Sequence, residues 1–315
     1  MVLQRKWMSA AGPTTHSRGA GMEILIYGAV NSMIFMLLAA GFALVYGVSR
    51  IPNFAHGAVY VLVGFLTWSF LNDLKLPYIL AILLALVVSA LLGLIIYRLV
   101  LIRLRGMPTS EIIASFAVSL VILEGLRLQG IAGFKGFIGP FYSLPPFFDA
   151  KINVAGVFVD FQRLFILGFG SLILVAIYLF THYSKAGLKL RAIAQDEQAA
   201  MMLGIHPDRT AMLSLAVGSA LAGMAAVLVL PLGNLAVEQG YHVLIRALAV
   251  CIVGGLGSWA GTILASLVLG YTVIISSTLL GTVWESMVLV GTIILILLLK
   301  PSGLLGKQKE LEERV

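Results

Sequence analysis

Charged residues are scarce in this sequence: Asp, Glu, Lys and Arg together make up only 11% of its 315 residues. Soluble globular domains carry about 25% of these residues, so the composition excludes an ordinary soluble domain. Hydrophobic residues account for 60% of the chain, and the mean hydropathy is +1.03. Apolar runs of about 20 residues cross a bilayer as helices, because a helix satisfies its own backbone hydrogen bonds. We therefore predict an all-α, polytopic transmembrane bundle.

Cysteine is nearly absent, and the motifs of common catalytic centres are missing. The single cysteine, Cys251, lies in an apolar run and cannot form an intrachain disulfide, so we interpret it as a packing residue. The sequence has no Cys/His cluster with metal-ligand spacing, no G-x-x-x-x-G-K-[ST] phosphate loop and no G-x-S-x-G nucleophile elbow. We therefore predict neither an enzyme nor a bound metal or cofactor.

Nine apolar segments are recognisable, and they set the expected architecture. They lie at about residues 24–47, 57–72, 77–97, 111–127, 162–181, 210–230, 243–257, 260–279 and 283–299. The Gly-rich stretch GGLGSWAG at 254–261 interrupts the run from Ala247 to Ser277, which makes the number of spans ambiguous. We expect about eight transmembrane helices, some re-entrant or broken, in a single domain over residues 23–300.

The net charge of +7 does not indicate a nucleic-acid partner, because the basic residues cluster in short loops between apolar segments. Under the positive-inside rule such loops face the cytoplasm. They contain 12 of the 21 basic residues, namely Arg50, Arg98, Arg103, Arg105, Lys185, Lys189, Arg191, Arg209, Lys300, Lys307, Lys309 and Arg314. This orientation predicts a cytoplasmic tail over residues 301–315 and outer segments at 127–161 and 231–242. The first outer segment, rich in Gly, Pro and aromatic residues, should contain ordered turns.

The first residues conflict with this orientation. Counting back from the 98–105 loop places the N-terminus outside, yet residues 1–22 contain Arg5, Lys6 and Arg18. Either the first break in the apolar chain is re-entrant, or the first residues are not native. We interpret residues 1–22 as an N-terminal extension, with Met22, which opens MEILIYG, as the alternative start.

Two breaks in the apolar chain are candidates for a transport pathway. In IPNFAHG at 51–57, the proline disfavours helix and the glycine permits unusual dihedral angles, while Asn and His can cap freed backbone groups or line a pathway. Paired broken segments accompany the transport path in many transporters, although no clear sequence repeat relates the two halves. Tight cytoplasmic turns with locally satisfied polar groups fit both breaks equally. The candidate pathway or gate residues are Pro52, Asn53, His56, Gly57, Gly254, Gly255 and Gly257.

The cytoplasmic stretch 184–215 predicts a short helix outside the bilayer. The sequence AIAQDEQAAMMLG at 192–204 is compatible with a helix, and Gly204 followed by Pro207 is typical of a helix end. Small residues at 199–200 allow close approach, and MML at 201–203 could fill a groove of a soluble partner. A helix that lies on the bilayer surface without a partner fits the same composition.

At this segment the chain resembles a known family. QAAMMLG at 198–204 is similar to the E-A-A-x-x-x-G coupling motif of bacterial ABC importer permeases, with Gln198 in the usual place of glutamate. The wider pattern resembles the branched-chain amino-acid (Liv-type) permeases. Five blocks carry it in the family's order, namely GFALVYGVSRIPNFAHG at 41–57, RAIAQDEQAAMMLGIHPDR at 191–209, GSALAGMAAVL at 218–228, VGGLGSWAGTILASLVLG at 253–270 and KPSGLLG at 300–306. The chain departs from the family at Gln198 and at Ala58, where an acidic residue is common.

The resemblance implies a permease subunit of an ABC importer in a bacterial or archaeal cytoplasmic (inner) membrane, for branched-chain or other hydrophobic amino acids. Besides membrane lipid, it implies three kinds of partner: a second permease subunit, homologous or identical, two ATPase subunits, and a periplasmic or extracellular solute-binding protein. The cytoplasmic coupling loop 184–209 would then present to the ATPase Asp196, Glu197, Gln198, Ala199, Ala200 and Gly204.

The residues alone leave other classes open. An ATP-independent secondary transporter or channel for a small amphiphilic solute, such as urea or an amide, is one alternative, and a membrane scaffold is another. A secondary transporter usually shows carboxylates inside the membrane for ion coupling, and we find no strong candidate at the centre of a span. A scaffold leaves the two breaks and the small-residue segment at 198–204 without a role.

Overall fold

The computed structural model describes residues 13–128, 142–148, 150–154 and 157–306, and in these ranges the chain is almost entirely helical. The α-helices are α1 (Pro13–Ser49), α2 (His56–Asn72), α3 (Tyr78–Ile96), α4 (Ile102–Leu104), α5 (Pro108–Arg127), α6 (Phe161–Tyr183), α7 (Lys185–Gln195), α8 (Glu197–Met202), α9 (Pro207–Val229), α10 (Gln239–Gly254), α11 (Trp259–Leu280) and α12 (Glu285–Leu299). A π-helical turn, Tyr97–Leu101, joins α3 to α4, and two 3₁₀ turns lie at Leu230–Leu232 and Thr282–Trp284. A short antiparallel hairpin, β1 (Lys151–Val154) and β2 (Val157–Asp160), precedes α6.

The predicted all-α, polytopic bundle is confirmed. In the described part of the chain, seven helical stretches are long and apolar enough to cross a membrane: Gly21–Ser49, Tyr78–Leu104, Pro108–Arg127, Phe161–Tyr183, Pro207–Leu232, Trp259–Leu280 and Thr282–Leu299. The shorter α2 and α10 account for the remaining two apolar segments. The hairpin was not expected from the sequence. The turns expected at 129–141, the first residues at 1–12 and the tail at 307–315 lie outside the described residues.

Most of the basic loops meet at one end of the bundle, which we call the basic end. Arg50 after α1 and Arg191 of α7 line one cavity there, and Arg105 after α4 forms an ion pair with Asp208 at the start of α9. At the opposite end, Arg127 binds Glu238 at 2.7 Å. The positive-inside rule assigns the basic end to the cytoplasm.

The core of the bundle consists of α1 and α9, which run antiparallel and cross at two glycines. A Cβ on Gly41 would lie 2.6 Å from the carbonyl oxygen of Gly218, so no larger residue fits this crossing. Of the best apolar window in each helix, 78% is buried in α1 and 72% in α9, against none in α12. Small residues at such crossings let helix backbones approach closely, which is the main source of packing energy in lipid.

The two halves of the bundle make equivalent helix contacts, in opposite directions because α1 and α9 run antiparallel. α3 packs on α9 as α11 packs on α1. The contacts use the same pattern, because SALLG at 89–93 and SLVLG at 266–270 each end in a glycine that touches the partner helix. A Cβ on Gly93 would lie 2.7 Å from the Leu215 carbonyl oxygen, and one on Gly270 would lie 2.5 Å from the Cα of Ser32. No clear repeat is visible in the sequence, because the matching residues are few and the connecting segments differ in length.

Candidate functional site

The first break lies at the basic end, between α1 and α2. Arg50 adopts a left-handed conformation with φ of 56° and turns the chain at the end of α1. Asn53 is only 7% exposed, and its Oδ1 accepts a hydrogen bond from the backbone nitrogen of Ala55 at 3.1 Å. It therefore caps a backbone group that the break would otherwise leave unpaired. Pro52, directly before it, is half-buried.

His56 fixes the depth at which α2 begins. It is buried, and its Nε2 lies 3.0 Å from the carbonyl oxygen of Leu38 on α1. A carbonyl can only accept, so Nε2 carries the proton and donates. Leu38 lies well inside the span Gly21–Ser49, so the chain runs from the basic end back into the bundle before α2 starts. The first break is thus re-entrant, but α1 still ends at the basic end, so this geometry does not remove the orientation conflict of the first residues.

A second re-entrant segment, residues 233–238, leads from the opposite end into the bundle and delivers the start of α10. The first turns of α2 and α10 meet there, since a Cβ on Gly57 would lie 2.0 Å from the carbonyl oxygen of Gly240. Two helix N-termini, each carrying about +0.5 elementary charge, therefore lie close together inside the bundle. The partner of the first break is this segment and not GGLGSWAG at 254–261.

The glycines of 254–261 build a tight turn at the basic end. Gly255 has φ of 97° and packs against the backbone of Gly306, because the segment after α12 folds over this turn. The backbone nitrogens of Leu304 and Leu305 donate to the carbonyl oxygens of Val253 and Gly254, at 2.7 and 3.0 Å. Gly254 itself packs against Gly261 of α11. These contacts match the alternative of a turn that is satisfied locally.

Gly257 differs from its neighbours, because it opens into a cavity at the basic end. The cavity has a volume of about 670 Å³ and is lined by residues of four elements and of the segment after α12. Among them are Arg50 from the first break, Arg191 and Gln195 from α7, and Trp259 at the start of α11. The structure therefore places one of the predicted glycines beside the helix that precedes the coupling motif.

The predicted coupling segment is divided into two helices, where the sequence was interpreted as one. Asp196 ends α7 and is the N-cap of α8, and its Oδ1 accepts from the backbone nitrogen of Ala199 at 3.0 Å. The end at Gly204 is as predicted, because this residue has φ of 78°. The Gly204 nitrogen donates to the Met201 carbonyl at 2.9 Å, and the Ile205 nitrogen to the Ala200 carbonyl at 3.1 Å. This is a Schellman motif, so both ends of α8 are fixed.

The two faces of α8 have different surroundings. Ala200 is buried against Val48, Leu190 and Ile193, which attaches the helix to the bundle. Glu197, Gln198 and Ala199 are exposed, and the apolar residues that follow are more so, with Met202 92% and Leu203 80% exposed. Together with Met201 they form an apolar surface at the basic end, which we call the MML tip (Met201–Leu203).

A charged junction connects α8 to two membrane-spanning helices. Arg105, just after α4, forms ion pairs with Glu197 of α8 and with Asp208 of α9. The hydroxyl of Tyr97, in the π-helical turn, donates to the same Asp208 carboxylate at 3.0 Å. Partial burial of Arg105 lowers its pKa, but the hydrogen bond and the negative charge of Asp208 outweigh this effect. The pKa of Arg105 is therefore raised. Arg105 therefore remains a cation that bridges three elements.

Comparison with known proteins agrees with this architecture. Residues 24–298 match the family model described as the permease component of the branched-chain amino acid transport system. The chain belongs to this family. It is a permease component and a multi-pass protein of the cytoplasmic membrane.

Several curated relatives extend over nearly the whole permease. The branched-chain amino acid permease BraD of Pseudomonas aeruginosa is 27% identical over 91% of this chain and 96% of its own length. A probable permease, LivH of Methanocaldococcus jannaschii, is 30% identical over 79% of each chain. LivM of Salmonella typhimurium is 27% identical over 95% of this chain and 72% of its own.

Two candidate site residues, Gly240 and Arg105, were not predicted from the sequence. Gly240 was not considered, although PLGN at 231–234 is a turn sequence and Gln-Gly at 239–240 parallels His-Gly at 56–57. Arg105 was interpreted only as a marker of orientation. Its pairing with Glu197 joins residues 92 positions apart in the chain, and no local pattern indicates such a contact.

Proposed function

We propose that this permease is the membrane subunit of an ABC importer for branched-chain or other hydrophobic amino acids. The family and the printed names of the relatives support this substrate class. Among the chain's own features, the MML tip on α8 carries the proposal. A stable apolar surface outside the membrane-spanning helices, on a helix capped at both ends, is typical of a docking site for another protein.

The partner at the MML tip is an ATPase subunit. The permease sequence has no phosphate loop, so ATP hydrolysis takes place in a separate subunit. Exposed methionines adapt to an apolar groove and give a short helix its binding contacts. The exposed Glu197, Gln198 and Ala199 lie at the edge of the contact, while Asp196 and Gly204 hold the helix in shape.

The charged junction transmits the movement of α8 into the bundle. Arg105 ties α8 to the end of α4 and to the start of α9. α9 crosses α1 at Gly218, next to His56, where α2 begins. A displacement of α8 by the ATPase therefore reaches the meeting point of α2 and α10 through rigid, packed helices, which switches access to the pathway between the two sides.

The pathway runs past the two re-entrant segments, between this permease and a second permease subunit. LivH and LivM are both named as permeases of branched-chain amino acid transport and are both similar to this chain, which supports a paired arrangement. Pro52, Asn53, His56 and Gly57 shape the inner half of the pathway. A solute-binding protein delivers the amino acid at the opposite end, and lipid surrounds the bundle.

A charge placed on the MML tip tests the coupling role. Met202→Glu should leave the permease folded, because the side chain is 92% exposed, but should prevent an ATPase from co-purifying with the solubilised protein. Val283→Glu is a matched control, because Val283 is 90% exposed at the opposite end. Co-purification of the ATPase with Met202→Glu at the wild-type level would refute the role of the tip.

A further inference from the structure

A cationic side chain lies at mid-height on the surface of the bundle. Arg246 belongs to α10, and its guanidinium carbon lies 5.9 Å from the ring centre of Phe35 on α1. Phe35 is equidistant from the two ends of the span Gly21–Ser49. Arg246 lies near the start of the apolar segment 243–257, and in the structure this segment begins inside the bundle, where Gly240 meets Gly57.

Arg246 is exposed on this surface rather than enclosed within the permease. His242 and Ile245, on the same face of α10, are also exposed, Ile245 to 62%. Among the described residues, no carboxylate lies within ion-pair distance of Arg246. An arginine that meets hydrocarbon at mid-membrane costs several kcal/mol, and such residues therefore face another protein or a water-filled path.

The surroundings of Arg246 favour an anion. The N-termini of α2 and α10 meet at Gly57 and Gly240, about two turns before Arg246 along α10, and each carries a partial positive charge. Half-helix N-termini of this kind bind the anionic groups of substrates in transporters. The Phe35 ring supports the guanidinium through a cation–π contact.

We propose that Arg246 binds the carboxylate of the amino acid as it crosses the membrane, on a path between this permease and its partner permease. The assignment rests on the proposed function. A guanidinium offers two parallel donors that match a carboxylate, while the neighbouring Ile245 provides an apolar contact for the substrate side chain. The bundle surface thus holds the charged part of an amphiphile at the depth where lipid would reject it.

Uptake by the intact importer tests this site. The importer is purified with its co-purifying subunits, reconstituted in liposomes with its binding protein, and assayed with leucine and ATP. Arg246→Gln should lower leucine uptake roughly ten- to hundredfold, the effect of losing a charged hydrogen bond, while the complex still assembles and hydrolyses ATP. Arg246→Lys should recover part of the uptake, because it keeps the charge but not the paired donors. Arg98→Gln removes an exposed arginine at the basic end. It should leave uptake within about twofold of wild type, a smaller change than the loss of one charged hydrogen bond would cause.

Two results would overturn the assignment. Uptake by Arg246→Gln at the level of Arg98→Gln would show that no carboxylate contact is made. If Arg246→Gln failed to assemble while Arg246→Lys assembled and transported fully, Arg246 would be an ion-pair partner of the second permease. Absence of ATP-driven leucine uptake by the wild-type importer would instead refute the proposed function, and the site would fall with it.

Discussion

The contact between α2 and α10, the helices that follow the two re-entrant segments, is most sensitive to a methyl group added at Gly57. In Gly57→Ala, the new Cβ would lie 2.0 Å from the Gly240 carbonyl oxygen and 3.1 Å from the Cβ of Leu244. The nearest atom belongs to the backbone of α10, so no side-chain rotation relieves the contact. α2 and α10 must separate by about 1 Å, which is the kind of shift that overpacking forces on a core.

The expected free-energy change combines two terms of opposite sign. Overpacking costs about 1–3 kcal/mol. Because the clashing atom belongs to the backbone and cannot rotate away, the cost at this site lies near the upper limit. Replacing glycine by alanine within a helix stabilises by about 0.5–1 kcal/mol. We therefore expect Gly57→Ala to lower the free energy of unfolding by about 2 kcal/mol. In Gly168→Ala, where no atom lies within 4 Å of the new Cβ, only the stabilising term remains.

The single cysteine provides the assay. Cys251 is buried in α10, the helix that Gly57 contacts, and should react with a thiol-specific dye only when the bundle opens. The detergent-solubilised permease is heated in steps, and the temperature at which half of Cys251 is labelled is recorded. This temperature should fall for Gly57→Ala and should stay the same or rise for Gly168→Ala. Equal midpoints for the two variants would refute the close approach of α2 and α10.

Three further predictions concern α8. Asp196→Ala should weaken the helix by about 1 kcal/mol through loss of its N-cap, and Asp196→Asn should restore it, as measured by proteolysis of the 184–209 loop; equal protection in both variants would contradict the cap. Gly204→Ala should destabilise α8 by about 1 kcal/mol, because residue 204 has a left-handed backbone, and Gly204→Asn should destabilise it less. The same proteolysis assay measures both variants, and equal protection of Gly204→Ala and wild type would contradict the Schellman motif. Arg105→Gln should change the thermal midpoint little, because partly exposed ion pairs contribute under about 1 kcal/mol, yet it should reduce ATP hydrolysis stimulated by the binding protein; unchanged stimulation would exclude the junction from coupling.

The sequence predicted the spans well because hydrophobic runs and their ends are local properties. The end of α8 was recognised from Gly204 followed by Pro207; in the structure α8 ends at Met202, and Gly204 has the left-handed backbone that closes it. The start of α2 after Pro52 was likewise found within one residue. In both cases the local backbone requirement of one residue type sets the boundary.

The arrangement of the candidate site could not be predicted, because it depends on contacts between distant residues. Gly57 and Gly240 meet only after the two re-entrant segments have folded back from opposite ends of the bundle. The depth of Arg246 follows from the same folding, which brings the start of α10 against the start of α2 inside the bundle. The division of the coupling segment at Asp196 was missed because a capping aspartate also occurs on the exposed faces of continuous helices.

The energy source of transport distinguishes an ABC importer from a secondary transporter or channel. Leucine uptake should be measured in liposomes that contain the importer with its co-purified subunits, with the binding protein on one side and ATP supplied or withheld on the other. Leucine should accumulate against a gradient only when ATP and the binding protein are both present, and this accumulation should be lost in Met202→Glu. Equal uptake without ATP would refute the ABC importer and would indicate a secondary transporter or channel.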